Sequence, residues 1–102
     1  MKFVINLCFG GFSLSNMAVE ALGLRSPWAD VSRTDERLIA LVEQDAEAAS
    51  GACARLAVAE IPDEATDWYI EEYDGSESLI YVLDGRLHWW QRNGVEVEDN
   101  EE

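Results

Sequence analysis

Two Asp-Gly pairs, Asp74-Gly75 and Asp84-Gly85, restrict what this chain can fold into more than any other feature. The tightest hairpin turns need positive φ at both central residues, which Asp tolerates and Gly adopts freely, so each pair predicts a two-residue turn between antiparallel strands. The flanking residues agree: Asp67-Trp68-Tyr69-Ile70-Glu71-Glu72-Tyr73 precedes the first pair, Leu79-Ile80-Tyr81-Val82-Leu83 separates the two, and Arg86-Leu87-His88-Trp89-Trp90 follows the second. All three runs are rich in the β-branched and aromatic residues that suit a pleated surface.

The N-terminal half reads differently. Lys2 to Cys8 is apolar and partly β-branched, the pattern of a central strand covered on both faces. Gly10-Gly11, set between Phe9 and Phe12, permits a sharp turn. Ser15 is a candidate N-cap for a helix whose apolar positions are Leu14, Met17, Ala18, Ala21 and Leu22, closed by Gly23. From Leu24 to Thr34, with Pro27 and an isolated Trp28, the pattern is that of a loop. Thr34 or Asp35 caps a second helix expected to run to about Ser50, burying Leu38, Val42, Ala46 and Ala49, with Gly51 as its C-terminal glycine. Cys53 to Ile61 reads as a strand broken by Pro62. The order is β-α-α-β-β-β-β, an α+β domain over 1–92 with two helices packed on one face of a mostly antiparallel sheet. Residues 93–102 read as an acidic tail that frays.

Charge is the compositional outlier. Seven basic residues against 21 acidic ones give a net charge of −14 over 102 residues, a field that repels nucleic acid and anionic membrane and attracts basic surfaces. The acidity is concentrated: residues 1–58 hold five basic and seven acidic residues, whereas residues 59–102 hold two and 14. Solubility alone is the competing explanation. Cys8 and Cys53 are too few for a disulfide framework and too far apart in sequence for a zinc site, so reduced thiols in a cytoplasmic, soluble protein are expected. No run approaches the roughly 20 apolar residues that a spanning helix needs.

The candidate site is the acidic strand. Period-two alternation puts Asp67, Tyr69, Glu71 and Tyr73 on one side and Trp68 and Ile70 on the other. With the turn acids Asp74 and Glu77, these residues form a candidate partner-binding face, one in which carboxylates two residues apart would lie about 6.6–6.8 Å from each other. Such a face could imitate the charge of a nucleic-acid backbone toward a groove of Lys and Arg, with Tyr69 and Tyr73 as interface anchors. The alternative is a solvated face whose tyrosines merely cover the sheet.

Cys8-Phe9-Gly10-Gly11-Phe12-Ser13-Leu14-Ser15 after a first strand resembles a family of small bacteriophage and prophage proteins. The resemblance extends to Arg33-Thr34-Asp35, Glu60-Ile61-Pro62-Asp63 and Glu71-Glu72-Tyr73-Asp74-Gly75, so it touches most of the chain from Phe3 to Gly75, and Tyr81-Val82-Leu83-Asp84-Gly85 departs from it. It implies a phage setting and carries no activity with it. Small acidic phage proteins include inhibitors of host defence, among them anti-CRISPR proteins that imitate DNA, so by class analogy the expected partner is a basic nucleic-acid-binding host protein such as a CRISPR effector subunit. No direct contact with nucleic acid or membrane, no cofactor and no metal is expected, and the chain is read as a monomer or small homo-oligomer.

Enzymatic readings are weaker. Glu71 and Glu72 are adjacent, so on a strand they point to opposite faces and cannot share a catalytic site; an ion pair between Glu72 and Arg55 or Arg86 is the simpler expectation. A Cys8–His88 dyad lacks an orienting third residue. Gly10-Gly11 lacks both the full glycine spacing and the following Lys of a phosphate cradle. A small structural or regulatory phage protein, assembling through its sheet and exposed aromatics, is the alternative function.

Overall fold

The structure is a computed structural model that describes residues 1–91 and 94–97. Five-residue strand β1 (Lys2–Asn6) is followed by helices α1 (Asn16–Leu22), α2 (Glu36–Gln44) and α3 (Ala46–Ala49). Strands β2 (Leu56–Glu60), β3 (Asp67–Tyr73), β4 (Ser76–Leu83), β5 (Arg86–Gln91) and β6 (Gly94–Val97) complete an α+β domain. The expected order is therefore present, extended by a short third helix and a sixth strand.

The strands form two antiparallel sheets, β1-β2 and β3-β4-β5-β6, instead of one. Val4 at 0% and Leu56 at 1% exposure face the helices, in a core with Leu14, Ala18, Leu38 and Val42. On the opposite face of the same ribbon, Phe3 and Ile5 pack with Leu79 and Tyr81 of β4. Alternation along β1 thus feeds two cores, and the ribbon is the middle layer between the helices and the four-stranded sheet. The expected packing of helices on a single sheet holds only for this ribbon.

The second edge of β1 explains the division. The Val4 N–H donates to the Arg33 carbonyl at 2.9 Å, the Arg33 guanidinium donates to the Val4 carbonyl at 3.2 Å, and the Asn6 N–H donates to Glu77 Oε1 at 2.9 Å. With those backbone groups satisfied by a loop and a side chain, this edge has no ladder to offer another strand.

Local signals explain most element ends. Ser15 accepts from the Ala18 N–H, and Gly23 closes α1 at φ 68°. Asp35 caps α2 by accepting from the Arg37 and Leu38 amides. The second helix does not reach Ser50 unbroken: Asp45 adopts φ −161° and its carboxylate accepts from the Ala48 N–H, a local bond that competes with helix continuation. Gly51 is not a left-handed cap. Its role is close approach: a Cβ there would lie 2.1 Å from Ser13 Oγ, 2.9 Å from Ser13 Cβ and 3.1 Å from the Ser13 carbonyl carbon. Both Asp-Gly turns form as expected, with φ 54° and 91° at Asp74-Gly75 and 55° and 75° at Asp84-Gly85.

Strand β6 corrects the expectation that the chain frays from residue 93. The register sets Val95 opposite Trp90 and Glu96 opposite Trp89, and Val95-Glu96-Val97 does alternate with strand period. The remaining tail positions, 93 and 98–102, lie outside the described residues, as does position 92.

Candidate acidic and aromatic interface

Strand β3 is an edge strand, paired only with β4. Asp67, Tyr69, Glu71 and Tyr73 are exposed on its outer face and Asp74 is exposed in the adjoining turn. None of the three carboxylates forms an ion pair with a cation among the described residues. The other side of β3 is turned toward the ribbon, as alternation predicts, but is only partly covered: Trp68 meets the Phe3 ring edge-on at 4.4 Å and stays 39% exposed, while Ile70 packs against the second core.

The outer face has an apolar centre that the sequence reading did not identify. Tyr69 pairs with Ile80, which pairs with Trp89, and Ile80 is only 1% exposed although it sits on the outward side of β4. Its cross-strand neighbours flank it from both sides, since directly opposed side chains on one face are about 4.5–5.5 Å apart. Tyr69 is thereby part sheet cover and part accessible surface, at 43% exposure.

Glu77 does not belong to this face. Its side chain is 7% exposed and forms a bidentate pair with Arg33, at 2.6 Å to Nη1 and 2.8 Å to Nη2. Arg33 in turn lies 3.7 Å over the Phe12 ring, a cation–π contact. Period two explains the displacement: Glu77, Leu79 and Tyr81 share the inward side of β4, so Glu77 points at β1. It also stands directly opposite Glu72 in the ladder, a like-charge juxtaposition that Arg33 offsets. The expected ion pair of Glu72 is replaced by this one, and Glu72 is exposed with no cationic partner among the described residues.

The hairpin tip that carries Tyr73 and Asp74 is fixed by a second residue that the sequence reading passed over. Asn6, fully buried, donates from Nδ2 to the carbonyls of Gly75 and Cys8, each at 2.7 Å. Its Oδ1 accepts from the Arg55 N–H at 2.8 Å and the Cys8 N–H at 3.3 Å. The Gly10 N–H donates to the Asp74 carbonyl at 3.2 Å. A Cβ on Gly75 would lie 2.3 Å from the Gly11 nitrogen, and one on Gly10 would lie 2.7 Å from the Cys53 carbonyl oxygen. The Gly10-Gly11 segment is therefore a spacer between two turns, and the Gly10 amide is already spent on Asp74, which leaves it unfit as a phosphate cradle.

Chemically, the face offers carboxylates and phenols as hydrogen-bonding and ion-pairing groups. Carboxylates Asp67 and Glu71 are four residues apart, about 13 Å along a strand, and alternate with tyrosines instead of forming a continuous anionic lattice. His88 stacks on Tyr81 with ring centroids 5.0 Å apart, and burial pushes the Tyr81 phenol above its usual range. Cys8 and Cys53 are both free thiols. No group of three metal-ligating side chains occurs among the described residues, and none of their helices is long and apolar enough to cross a membrane. Comparison with protein-family models, curated proteins and solved structures finds no match to this chain.

Proposed function

We propose that this chain is a non-enzymatic binding protein that occludes the cationic, nucleic-acid-binding surface of a host protein, as small acidic phage inhibitors of host defence do; a CRISPR effector subunit is the leading partner class. The observation that supports this best is the alternation of unpaired, exposed carboxylates with tyrosines on the edge strand β3, ending in Asp74. Acids at this spacing do not copy each phosphate of a DNA strand. They compete with nucleic acid for a cationic groove through net field and a few placed contacts, while Tyr69 and Tyr73 contribute desolvated area.

The test is a capture experiment from bacterial lysate, with retained proteins identified by mass spectrometry and challenged by duplex DNA. Nucleic-acid-binding proteins should be retained at about 50 mM salt, released by about 500 mM, and displaced by DNA. Asp67→Lys combined with Glu71→Lys should abolish retention with unchanged circular dichroism. Retention that ignores salt, DNA and the double substitution would sink the proposal. The second reading, assembly of identical chains, draws on the open edge of β3; Asp67, Glu71 and Glu72 along that edge oppose it, and a stable homo-oligomer in sedimentation would favour it.

A further inference from the structure

Tyr73, Trp28 and Phe9 are the most exposed large apolar side chains of the described residues, at 77%, 72% and 64%. They come from three separate segments yet surround one backbone position, Gly10. Phe9 meets Tyr73 edge-on, with centroids 6.5 Å apart. Gly10 bonds to Asp74 on one side. On its other side it lines, with Leu14, Pro27, Trp28, Ala52 and Cys53, an open cleft of about 440 Å³. Neither core needs these three aromatics, and clustered apolar exposure of this kind marks a contact surface.

We propose that this end of the molecule is the anchoring half of the interface: the cleft beside Trp28 receives one large apolar side chain of a basic polypeptide segment, whose neighbouring cations lie against Asp74 and Glu71. The inference rests on the acidic-face reading above and adds the residue class that docks beside it. Charge selects the occupant. Among the described residues the polar side chains that line the cleft, Ser13, Ser15, Asn16 and Ser50, are uncharged, so a Lys or Arg head group would find no counter-ion there, whereas an apolar group packs against Leu14, Pro27 and Trp28. Carboxylates begin immediately beyond Tyr73, where cations are favoured. A second copy of the chain, also carrying −14, is repelled at the distances of contact. A central pocket filled by one anchor, with charged contacts at its rim, is how interfaces concentrate affinity.

The test uses a fluorescein-labelled ten-residue Lys/Arg peptide with one central Trp, a counterpart with that Trp changed to Ala, and a third with the cations changed to Ser. Anisotropy reads affinity and ¹H–¹⁵N shifts locate the contact. The Trp peptide should bind, shifting the Gly10, Gly51 and Ala52 amides and the Trp28 indole. Binding should weaken at least about tenfold for the Ala peptide and for Trp28→Ala protein. Trp28 is exposed, so the variant should keep its urea midpoint; if it does not, the peptide-side substitution still decides. Equal affinity of the Trp and Ala peptides, or shifts confined to β3, would overturn the cleft while leaving the acidic face intact. Equal affinity of the Trp and Ser peptides at every salt concentration would remove the acidic face while leaving the cleft. No binding by the Trp peptide overturns the inference, and so does a dimer that Trp28→Ala disperses.

Discussion

Glu77 shows how one side chain can change role between sequence and structure. As one of 14 acids in the C-terminal 44 residues it reads as surface charge, yet it is the buried counter-ion of Arg33 and an acceptor for the Asn6 amide. Breaking such a pair leaves one desolvated charge behind, so Arg33→Ala and Glu77→Ala should each cost about 3 kcal/mol in urea denaturation. The double variant should cost much less than their sum, and a coupling energy near zero would show that the contacts act independently. Asp35 gives a pH-dependent case. Bonding to the Leu38 amide, then to Arg37, holds its carboxyl below the ordinary 3.8. A depressed value stabilises the fold above the unfolded pKa and is lost as pH falls through the folded one. Asp35→Ala should therefore cost about 1 kcal/mol at pH 7 and clearly less at pH 2.5, measured by urea titrations at the two pH values.

At the scale of elements, the two hairpins carry the same turn chemistry in different surroundings. Gly75 and Gly85 both have positive φ, but a Cβ would strike the Gly11 backbone at 2.3 Å in the first and meet nothing within 4 Å in the second. Gly85→Ala should cost about 1 kcal/mol from backbone conformation alone. Gly75→Ala should cost roughly 2 kcal/mol more, because backbone must move; equal denaturation midpoints for the two variants would mean that the first turn is not clamped. The hairpins, the capped starts of α1 and α2 and the alternation of β3 were legible because each depends on neighbours in sequence. The break at Asp45 and the strand at Gly94–Val97 were not, because a helix former's periodicity continued through the first and acidic residues masked the second.

For the whole molecule, the charge that suits a cationic partner also works against compactness. At −14, added salt should stabilise the isolated fold while weakening the proposed complex with a cationic partner. Screening that relieves about 1 kcal/mol of self-repulsion raises the Tm by roughly 4–8 °C, and calorimetry at low and high sodium chloride measures it; a Tm that falls with salt would show that attractive pairs dominate. Composition, turn chemistry and period-two patterning determined the α+β class, the meander and the acidic, tyrosine-bearing side of β3, since these are properties of short range and of the sum of charges. Tertiary structure alone decided that there are two sheets, that Arg33 is the partner of the inward-facing Glu77, and that the Phe9–Tyr73 pair and Trp28 lie on either side of Gly10. Those outcomes depend on which loop satisfies the free edge of β1 and which turn packs on which glycine, contacts between residues tens of positions apart that no local pattern encodes.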